Sequence, residues 1–407
     1  METSTDILVA GAGAAGLSIA LALADDGRAV TIVGPPDLGG AARTVALFDG
    51  SVRFLESLGV WSRVVDQSAA LRVMRIVDDT KSLFAAQPSE FRSSEIGLDT
   101  FGWNIENAIL VGALMNAARA HPRVRFIEDV VESYSLSQDA VSVETRAHGA
   151  LAARLVVAAD GRRSGARRAA RISARMWEYP QVAVTAIFAH RKPHGDISTE
   201  FHTRQGPCTF VPLKGTAEHP HRSSLVWMMA PDEAERRHAL AAEDFAREAE
   251  NASHHLLGRL TLLSARGKVP MAGLTAKALI GQRLALVGEA GHVFPPIGAQ
   301  GLNLGLRDCA HLAEAVAGGG DDPGAPGVLA SYERLRRGDV ATRTMGVDTL
   351  NRALLSNFMP VDFLRGAGLF ALQNIGPLRR LAMREGVLPG AGAPHVMRQR
   401  ATDVVST

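Results

Sequence analysis

The spacing of three glycines near the start of the chain constrains the fold more than any other feature of the sequence. Gly11, Gly13 and Gly16 form the pattern G-x-G-x-x-G. They follow an apolar run over residues 6–10, which predicts a short buried strand, and they open a helix predicted over 14–26. At such a turn the first glycine allows the tight bend, the second lets a pyrophosphate approach the backbone, and the third lets the helix pack closely on the strand. The pattern predicts a dinucleotide-binding βαβ unit.

The residues around this turn complete the predicted unit. Gly27 is placed to end the helix, and residues 29–33 form a second apolar run that predicts the next strand. Ala14 and Ala15 open the helix, where free backbone N–H groups and the positive end of the helix dipole attract phosphates. The start of the helix is therefore expected to hold the phosphates of a dinucleotide.

The ribose end of the predicted site departs from the usual pattern. Dinucleotide-binding folds place an acidic residue at the end of the second strand, where it holds a ribose hydroxyl, and this chain has Gly34 there. Asp37 follows three residues later. It is interpreted either as a substitute ribose ligand or as a solvated loop residue, and the sequence does not choose between the two.

The composition is that of an ordinary globular protein and excludes several classes. The 407 residues predict two to three domains and a large core. Lys+Arg 44 and Asp+Glu 42 leave a net charge of +2, so no basic excess indicates nucleic-acid binding. Cys208 and Cys309 are too few for a disulfide framework and predict reduced thiols in a cytoplasmic protein. The 13 histidines show no metal-ligand spacing, and no metal site is predicted.

One apolar run, residues 7–24, carries no charge and has the length of a minimal membrane span. Glu2 and Asp6 precede it and no Lys or Arg does, whereas secretory signals and the cytoplasmic flanks of membrane spans are basic. The three glycines also interrupt it. The run is therefore interpreted as the βαβ unit rather than as a signal peptide or a span.

Two later segments resemble those of a known flavoprotein class. Residues 155–159 predict a strand, followed over 160–167 by DGRRSGAR, and residues 284–308 read LALVGEAGHVFPPIGAQGLNLGLRD. Together with the glycine turn, both segments resemble the FAD-binding stretches of single-component flavoprotein aromatic hydroxylases, the class typified by para-hydroxybenzoate hydroxylase. The resemblance implies that FAD is the bound dinucleotide.

Within that class the chain most resembles the ubiquinone-biosynthesis hydroxylases, over nearly its whole length. Segments 43–61, 102–110 and 206–227 are similar to their arginine region, their G-[YW]-x-x-x-N-x-x-L segment and their substrate-domain sheet. The tail residues that follow their C-terminal helical pattern are Tyr332, Arg336, Asp339, Asp348, Leu350, Arg352, Arg365, Gly366, Gly368 and Leu369.

The glycine turn and the resemblance together predict the residues around the cofactor. The predicted FAD-binding residues are Gly11, Gly13, Ala14, Ala15, Gly16, Asp37, Arg43, Asp160, Gly161, Gly288, Glu289, Pro296, Gly298, Ala299, Gln300, Gly301, Leu302 and Asn303. Arg43 has an ordinary surface arginine as its alternative, and Asp160 has a helix N-cap. His292 is interpreted as a base or an electron-donor contact, or as a loop histidine held by backbone.

Two positions depart from the family pattern. Glu289 stands where the family usually has Asp, and Gly291 stands where it usually has Ala. The longer carboxylate can still accept a hydrogen bond from the ribityl or ribose region of FAD, but it must be repositioned. Together with Gly34, these departures predict weaker retention of the flavin rather than a different cofactor.

The resemblance implies ring hydroxylation through a C4a-hydroperoxyflavin, with O₂ as co-substrate. NAD(P)H is the expected reductant, with a ferredoxin chain as the alternative. Pro295, Pro296, Gly298 and Gln300 are predicted to form a loop beside the flavin edge, where the start of the next helix favours negative charge on the reduced flavin. The sequence names no general base for the phenol.

The order of predicted elements gives an α/β fold of α+β two-domain type. A discontinuous, Rossmann-like FAD-binding domain is predicted over 1–75, 100–180 and 270–320. An antiparallel substrate sheet is predicted over 76–99 and 181–269, where short β-prone runs alternate with turns and a polar helix over 232–257 follows. A C-terminal helical region is predicted over 321–407.

The predicted activity is hydroxylation of a polyprenylated phenol in ubiquinone biosynthesis. Residues 350–400 mix seven arginines with apolar side chains, so this tail either packs on the FAD domain or lies on an anionic membrane. Membership of a quinone-biosynthesis complex is a further hypothesis. The alternatives are a hydroxylase of a soluble phenol or secondary metabolite, and a scaffold without catalysis. The oligomeric state stays open.

Overall fold

The structure is a computed structural model that describes residues 3–36, 43–80, 87–295, 298–355, 375–387 and 392–398. Asp37, Pro296, Arg365, Gly366, Gly368 and Leu369, named above, lie outside these residues. The strands are β1 Thr3–Ala12, β2 Val30–Pro36, β3 Thr44–Phe48, β4 Ala69–Leu71, β5 Val73–Asp78, β6 Ser89–Arg92, β7 Gly102–Glu106, β8 Val124–Ile127, β9 Val131–Leu136, β10 Val141–Thr145, β11 Gly149–Ala158, β12 Ala174–His190, β13 Ile197–Thr203, β14 Gly206–Leu213, β15 Arg222–Met229, β16 Leu260–Leu262, β17 Gly267–Ala276, β18 Ile280–Gly281, β19 Leu284–Leu286 and β20 His292–Val293. The helices are α1 Ala14–Asp25, α2 Asp49–Ser57, α3 Asn107–Ala120, α4 Gly165–Ala169, α5 Pro231–Ala239, α6 Ala242–Ala252, α7 Gln300–Ala317, α8 Pro326–Leu355 and α9 Gly376–Val387.

A parallel sheet forms the first layer of the fold. Its strand order is β8-β2-β1-β11-β19, and the short antiparallel strands β18, β10 and β9 extend it. Helix α1 connects β1 to its parallel neighbour β2, as the glycine spacing predicted. The apolar runs at 7–10 and 155–158 are fully buried, which is typical of a parallel sheet covered on both faces.

Helices cover this sheet and build the largest core. Helix α1 packs between α3 and α7, and α8 packs on α7. Leu17, Leu114 and Leu306 meet strand residues there. The opposite face packs against the hairpin β9–β10 and against Ile172. The α/β class predicted from the sequence is confirmed.

An antiparallel sheet forms the second part of the fold. Its order is β20-β17-β12-β15-β14-β13-β5-β6, and only the β13–β5 pair among these described strands is parallel. The predicted β-prone runs between 181 and 229 lie in strands β12 to β15. Helices α5 and α6 cover one face, where Phe245 stacks on Phe188 with ring centroids 5.8 Å apart.

The predicted single polar helix over 232–257 is wrong, because the chain breaks it in two. Leu240 and Ala241 are extended, with ψ near 155°, and separate α5 from α6. Arg266 donates to the carbonyls of Arg237 and Leu240 at the break, and Arg236 pairs with Glu248 across it. These tertiary contacts stabilise a turn that helical propensity alone does not indicate.

A small sheet joins the two large ones. Its order is β3-β7-β4, and its strands are antiparallel. Asn104 on β7 donates from Nδ2 to the Pro212 carbonyl on β14 at 2.9 Å. The small sheet therefore fixes where the antiparallel sheet sits relative to the rest of the molecule.

The apolar run over 7–24 is divided between β1 and α1 and lies in the core. Among the helices that the structure describes, none is both long enough and apolar enough to cross a membrane. Cys208 and Cys309 are both buried free thiols.

Candidate active site

The glycine turn after β1 is packed so closely that side chains are excluded. Gly11 has φ +112°, and a Cβ built on it would lie 2.3 Å from the Ala159 carbonyl oxygen. A Cβ on Gly16 would lie 2.0 Å from the Gly11 carbonyl oxygen. Gly13, in contrast, has open space for 4 Å around its would-be Cβ. The turn thus combines tight packing behind with an open cradle at the N-terminus of α1, which suits a pyrophosphate.

The structure gives a steric reason for glycine at position 34, which the sequence alone did not reveal. A Cβ on this residue would lie 2.7 Å from the Ala12 backbone nitrogen, because β2 continues to Pro36 and pairs there with Ala12. An acidic side chain at position 34 would displace the glycine turn itself. Glycine at position 34 therefore leaves room for the glycine turn. Asp37 lies outside the described residues, so ribose binding by its side chain stays a prediction.

A second turn, after β19, meets the first. Gly288 has φ +58°, and its would-be Cβ lies 3.4 Å from the Ala15 Cβ and 3.9 Å from the Gly305 Cα. The first turn of α1, the second turn of α7 and the Gly288 turn therefore converge at the carboxyl edge of the parallel strands. Glu289 is exposed at this edge. Such an edge is where open α/β sheets bind ligands.

Asp160 follows β11 at the same edge, and its side chain binds the first turn of α4. Its Oδ2 accepts hydrogen bonds from the backbone nitrogens of Gly165 at 2.8 Å and Ala166 at 3.1 Å. Its Oδ1 is buried without a hydrogen-bond partner among the described residues. Gly161, next in the chain, has φ +75°. The N-cap residue of α4 is Ser164, whose hydroxyl accepts from the Arg167 backbone nitrogen, so Asp160 binds the first turn of the helix without being its N-cap. One carboxylate oxygen of Asp160 is left over for a ligand.

The loop predicted to lie beside the flavin leads directly into α7. Pro295 is buried, Gly298 has φ +63°, and Ala299 is left-handed at φ +52° as the N-cap of the helix. Gly301 in the first turn has open space for 4 Å around its would-be Cβ. The N-terminus of α7 therefore presents backbone N–H groups beside an uncrowded glycine.

Asn303 clamps this loop to β3 with its side chain. Its Nδ2 donates to the Ala46 carbonyl at 2.8 Å and to the Ala299 carbonyl at 2.6 Å. Its Oδ1 accepts from the Phe48 backbone nitrogen and from the Ser51 hydroxyl. The amide is thus fully used within the protein, so Asn303 could contact a cofactor only through its backbone. Leu302 beside it packs on the main core.

Arg43 stands at the start of β3 with an exposed side chain. Its carbonyl accepts a hydrogen bond from the Asn107 backbone nitrogen. The next residue, Thr44, bonds through its hydroxyl to the Ser224 hydroxyl at 3.0 Å. Arg43 is therefore fixed by its backbone at the junction between the small sheet and the antiparallel sheet.

A buried chain of ion pairs supports the Gly288 turn and the loop before α7. The sequence analysis did not identify this chain. Asp308 on α7 accepts from the Gly288 backbone nitrogen at 2.8 Å, from His292 Nε2 at 2.6 Å and from Arg336 Nε at 2.7 Å. The side chains of Asp308, His292 and Arg336 are 0% exposed. Burial alone would raise the pKa of the Asp308 carboxyl. His292 and Arg336 lower it by more, so the pKa lies below the ordinary carboxyl value. His292 is therefore held by a carboxylate, not by backbone.

Asp339 on α8 extends this chain to the other loop. Its carboxylate pairs with Arg307, Arg336 and Arg343, and Arg343 also donates to Gln300 Oε1 at 3.1 Å. Helix α8 is thus linked through Asp308 to the Gly288 turn and through Arg343 to the start of α7. Positive charge predominates in this cluster, on the side of the α7 N-terminus.

Comparison with known proteins agrees with this arrangement. A family model described as "FAD binding domain" matches residues 4–346. The ubiquinone hydroxylase UbiL of Rhodospirillum rubrum is 33% identical over 406 residues, covering 97% of this chain and 92% of the relative. The chain belongs to the FAD-dependent hydroxylases of the ubiquinone-biosynthesis family. The predicted family, enzyme class and cofactor are confirmed.

Further relatives and solved structures give the same picture. The 3-demethoxyubiquinol 3-hydroxylase of Escherichia coli is 29% identical, covering 93% of this chain and 97% of the relative. The p-nitrophenol 4-monooxygenase PnpA of Pseudomonas putida has a TM-score of 0.77 at 20% identity, covering 95% of this chain and 98% of that one. PqsL of P. aeruginosa, solved with 2-aminobenzoylacetate, has a TM-score of 0.75 at 21% identity, covering 90% and 100%. The two solved structures show that the fold is shared.

The residues present fit FAD. The open cradle at Gly13 accommodates a pyrophosphate, and the orphaned Asp160 Oδ1 offers an acceptor to a sugar hydroxyl. Among the described residues, no group of three or more His, Cys, Asp and Glu side chains could hold a metal ion.

Gly13→Asp is expected to weaken FAD binding at least about 100-fold, because the new carboxylate would face the pyrophosphate. The apoprotein should be as stable as the wild type, since Gly13 has N-cap geometry with φ −78° and ψ 178°, which Asp adopts well. Titration of the apoprotein with FAD, followed by flavin fluorescence, measures the affinity, and urea unfolding measures the stability of the apoprotein. Gly346→Asp, on an exposed and uncrowded stretch of α8, is the control. Unchanged FAD affinity in Gly13→Asp would contradict this role.

Arg336→Met is expected to lower the free energy of unfolding by about 3–5 kcal/mol at pH 7, because Asp308 would stay buried without its guanidinium. The lowered pKa of Asp308 stabilises the fold above the ordinary carboxyl value of 3.8 and loses this effect as the pH falls. The difference between variant and wild type should therefore shrink below that pH. Denaturant unfolding from pH 3 to 7 tests this. The largely exposed Arg337→Met is the control, and equal losses in the two variants would refute the assignment.

Proposed function

We propose that this protein hydroxylates the aromatic ring of a polyprenylated phenol in ubiquinone biosynthesis, with FAD as cofactor, O₂ as co-substrate and NAD(P)H or a ferredoxin chain as reductant. The observation that carries the proposal is the convergence of the Gly13 cradle, the Gly288 turn and the second turn of α7 at one strand edge. The names of the relatives in Rhodospirillum and Escherichia support the pathway.

The glycine turns and the loop are proposed to bind and orient the cofactor. The N-terminus of α1 holds the pyrophosphate, Glu289 and the free Asp160 oxygen hold sugar hydroxyls, and the N–H groups from Gly298 to Gly301 face the flavin edge. When bound, FAD supplies the reducing electrons and the activation of O₂. The protein contributes orientation and a positive electrostatic field at the loop, to which Arg343 adds through Gln300.

The antiparallel sheet is proposed to cover the ring and exclude water. Ser224 bonds to Thr44 of the small sheet, and β3 in turn is clamped to the loop by Asn303. The sheet face that carries Ser224 therefore looks onto the same space as the loop. We accordingly assign 1–75, 100–180 and 270–320 to cofactor binding, and 76–99 and 181–269 to substrate binding, with the ends of β12 and β17 that lie outside 181–269 added to the substrate sheet.

The test of function is quinone profiling by mass spectrometry in a host that lacks the gene. The expected result is accumulation of one under-hydroxylated prenylphenol, because the ring would no longer receive its oxygen. The intact gene and the Gly346→Asp control should relieve this accumulation, whereas the Gly13→Asp gene should not. An unchanged quinone profile in the deleted host would contradict the proposed pathway.

Helix α9 is proposed to contact an anionic membrane surface, where a polyprenyl substrate would be found. Its inner side packs through Met383 and Val387 against strand β6 and its neighbours, and Arg379 pairs with Glu95. Its outer side exposes apolar residues and arginines side by side, a pattern typical of helices that lie at lipid interfaces. The exposed residues are Leu378, Arg380, Leu381 and Arg384 on the helix, and Ile375 just before it.

Replacement of Leu378 and Leu381 by Ser is expected to reduce binding to vesicles of anionic phospholipid by at least about 100-fold, because each buried leucine contributes roughly 1.5–3 kcal/mol in an apolar environment. Co-sedimentation at low and high salt measures the binding, which should also weaken as salt screens the arginines. Replacement of the buried Met383 by Leu is the control on the opposite side. Wild-type protein that stays in solution with anionic vesicles at low salt would refute the contact.

A further inference from the structure

The two faces of the antiparallel sheet have different neighbours. Leu225 and Trp227 point into the core under α5 and α6, so Ser224 and Val226 point to the opposite face. We call this opposite face the open face, because Ser224 bonds across it to Thr44 of β3. The open face is thus the side of the sheet that looks toward the proposed flavin loop.

One cross-strand row on the open face is only half-buried. Val226 lies opposite Thr209, and Thr209 lies opposite Glu200. On the other side, Thr185 lies opposite Val226. All four side chains are partly exposed although they belong to inner strands of the sheet. A ligand in the space between the sheet and the loop would contact this row.

Glu200 is the charged member of this row. Its Oε1 lies 2.6 Å from His202 Nε2, and its Oε2 accepts from the Thr209 hydroxyl at 3.3 Å. The Glu200 side chain is 23% exposed, whereas that of His202 is 7% exposed. Burial raises the pKa of Glu200, but His202 lowers it more, so the carboxyl is kept ionised. Accepting one bond at each oxygen leaves further lone pairs for a donor.

The partners of Glu200 distinguish it from two nearby carboxylates. Glu90 on β6 of the same sheet and Glu106 on β7 of the small sheet both pair with arginines that neutralise them. Among the described residues, Glu200 has no Lys or Arg partner, and its charge is offset by the imidazole of His202, two residues along the same face of β13. A half-buried carboxylate that is costly to bury and has free lone pairs on the open side is suited to receive a donor from a ligand.

We propose that Glu200 accepts a hydrogen bond from the ring hydroxyl of a neutral phenolic substrate, and that His202 is the positioning residue that holds the carboxylate toward it. This inference rests on the proposed function. The flanking Thr185, Thr209 and Val226 offer small hydroxyl and apolar surfaces to a ring. The negative charge of Glu200 disfavours ring substrates that carry a carboxylate of their own, so benzoates should be rejected.

The test uses the FAD-loaded enzyme with a short-chain prenylphenol and its O-methyl ether. Glu200→Leu should raise the KM for the phenol by about 10- to 100-fold, as expected for loss of a hydrogen bond to a charged group. Glu200→Gln keeps an acceptor oxygen and should stay within about threefold of the wild type. The ether, which cannot donate, should bind wild type and Glu200→Leu equally weakly. FAD affinity should be unchanged in both variants.

Glu144→Leu, at an exposed position on β10, is the matched control and should keep the wild-type KM. His202→Gln provides a second route if Glu200→Leu does not fold, and it should raise the KM at unchanged FAD affinity. This inference would be overturned if the wild-type enzyme hydroxylates the phenol and a folded Glu200→Leu variant has the same KM. That result would leave the proposed function intact. A FAD-loaded wild type that hydroxylates no prenylphenol would overturn both.

Discussion

The close approach of backbone to backbone at the carboxyl edge of the parallel sheet is the constraint on which the rest of the structure depends. Gly11 and Gly16 let β1, β11 and α1 meet without side chains between them, and Gly288 brings the second turn onto Ala15. The same packing forces glycine at position 34. The backbone is crowded around Gly11 and Gly16, whereas the space beside Gly13 at the N-terminus of α1 is open. A dinucleotide can bind there.

Those parts of the fold that depend on local sterics could be predicted from the sequence. The glycine spacing is a backbone requirement, so it located β1 and α1 within three residues of their observed bounds. The helix predicted over 232–257 failed, because Arg266 stabilises a break that only tertiary contact creates. Gly34 was interpreted as the loss of a ribose ligand, since its contact with Ala12 is invisible in the sequence.

The candidate site was predicted in outline, and the supporting interactions were not. The chain Gly288, Asp308, Arg336 joins residues that are 20 and 28 positions apart, and no local pattern reveals which charges become buried together. Asp160 and Asn303 are predicted cofactor ligands, and in the structure one Asp160 oxygen binds the first turn of α4 while the Asn303 side chain clamps β3. In such a site a polar residue often positions the backbone that binds the ligand rather than contacting the ligand itself.

The most direct measurement of the central claim is isotope incorporation with purified protein. The FAD-loaded enzyme is given a prenylphenol, a reductant and ¹⁸O₂, and the product is analysed by mass spectrometry. A FAD-dependent hydroxylase is predicted to add one ¹⁸O atom to the ring, with no label when ¹⁸O is supplied only as water. Oxygen derived from water, or consumption of reductant without any hydroxylated product, would contradict the account.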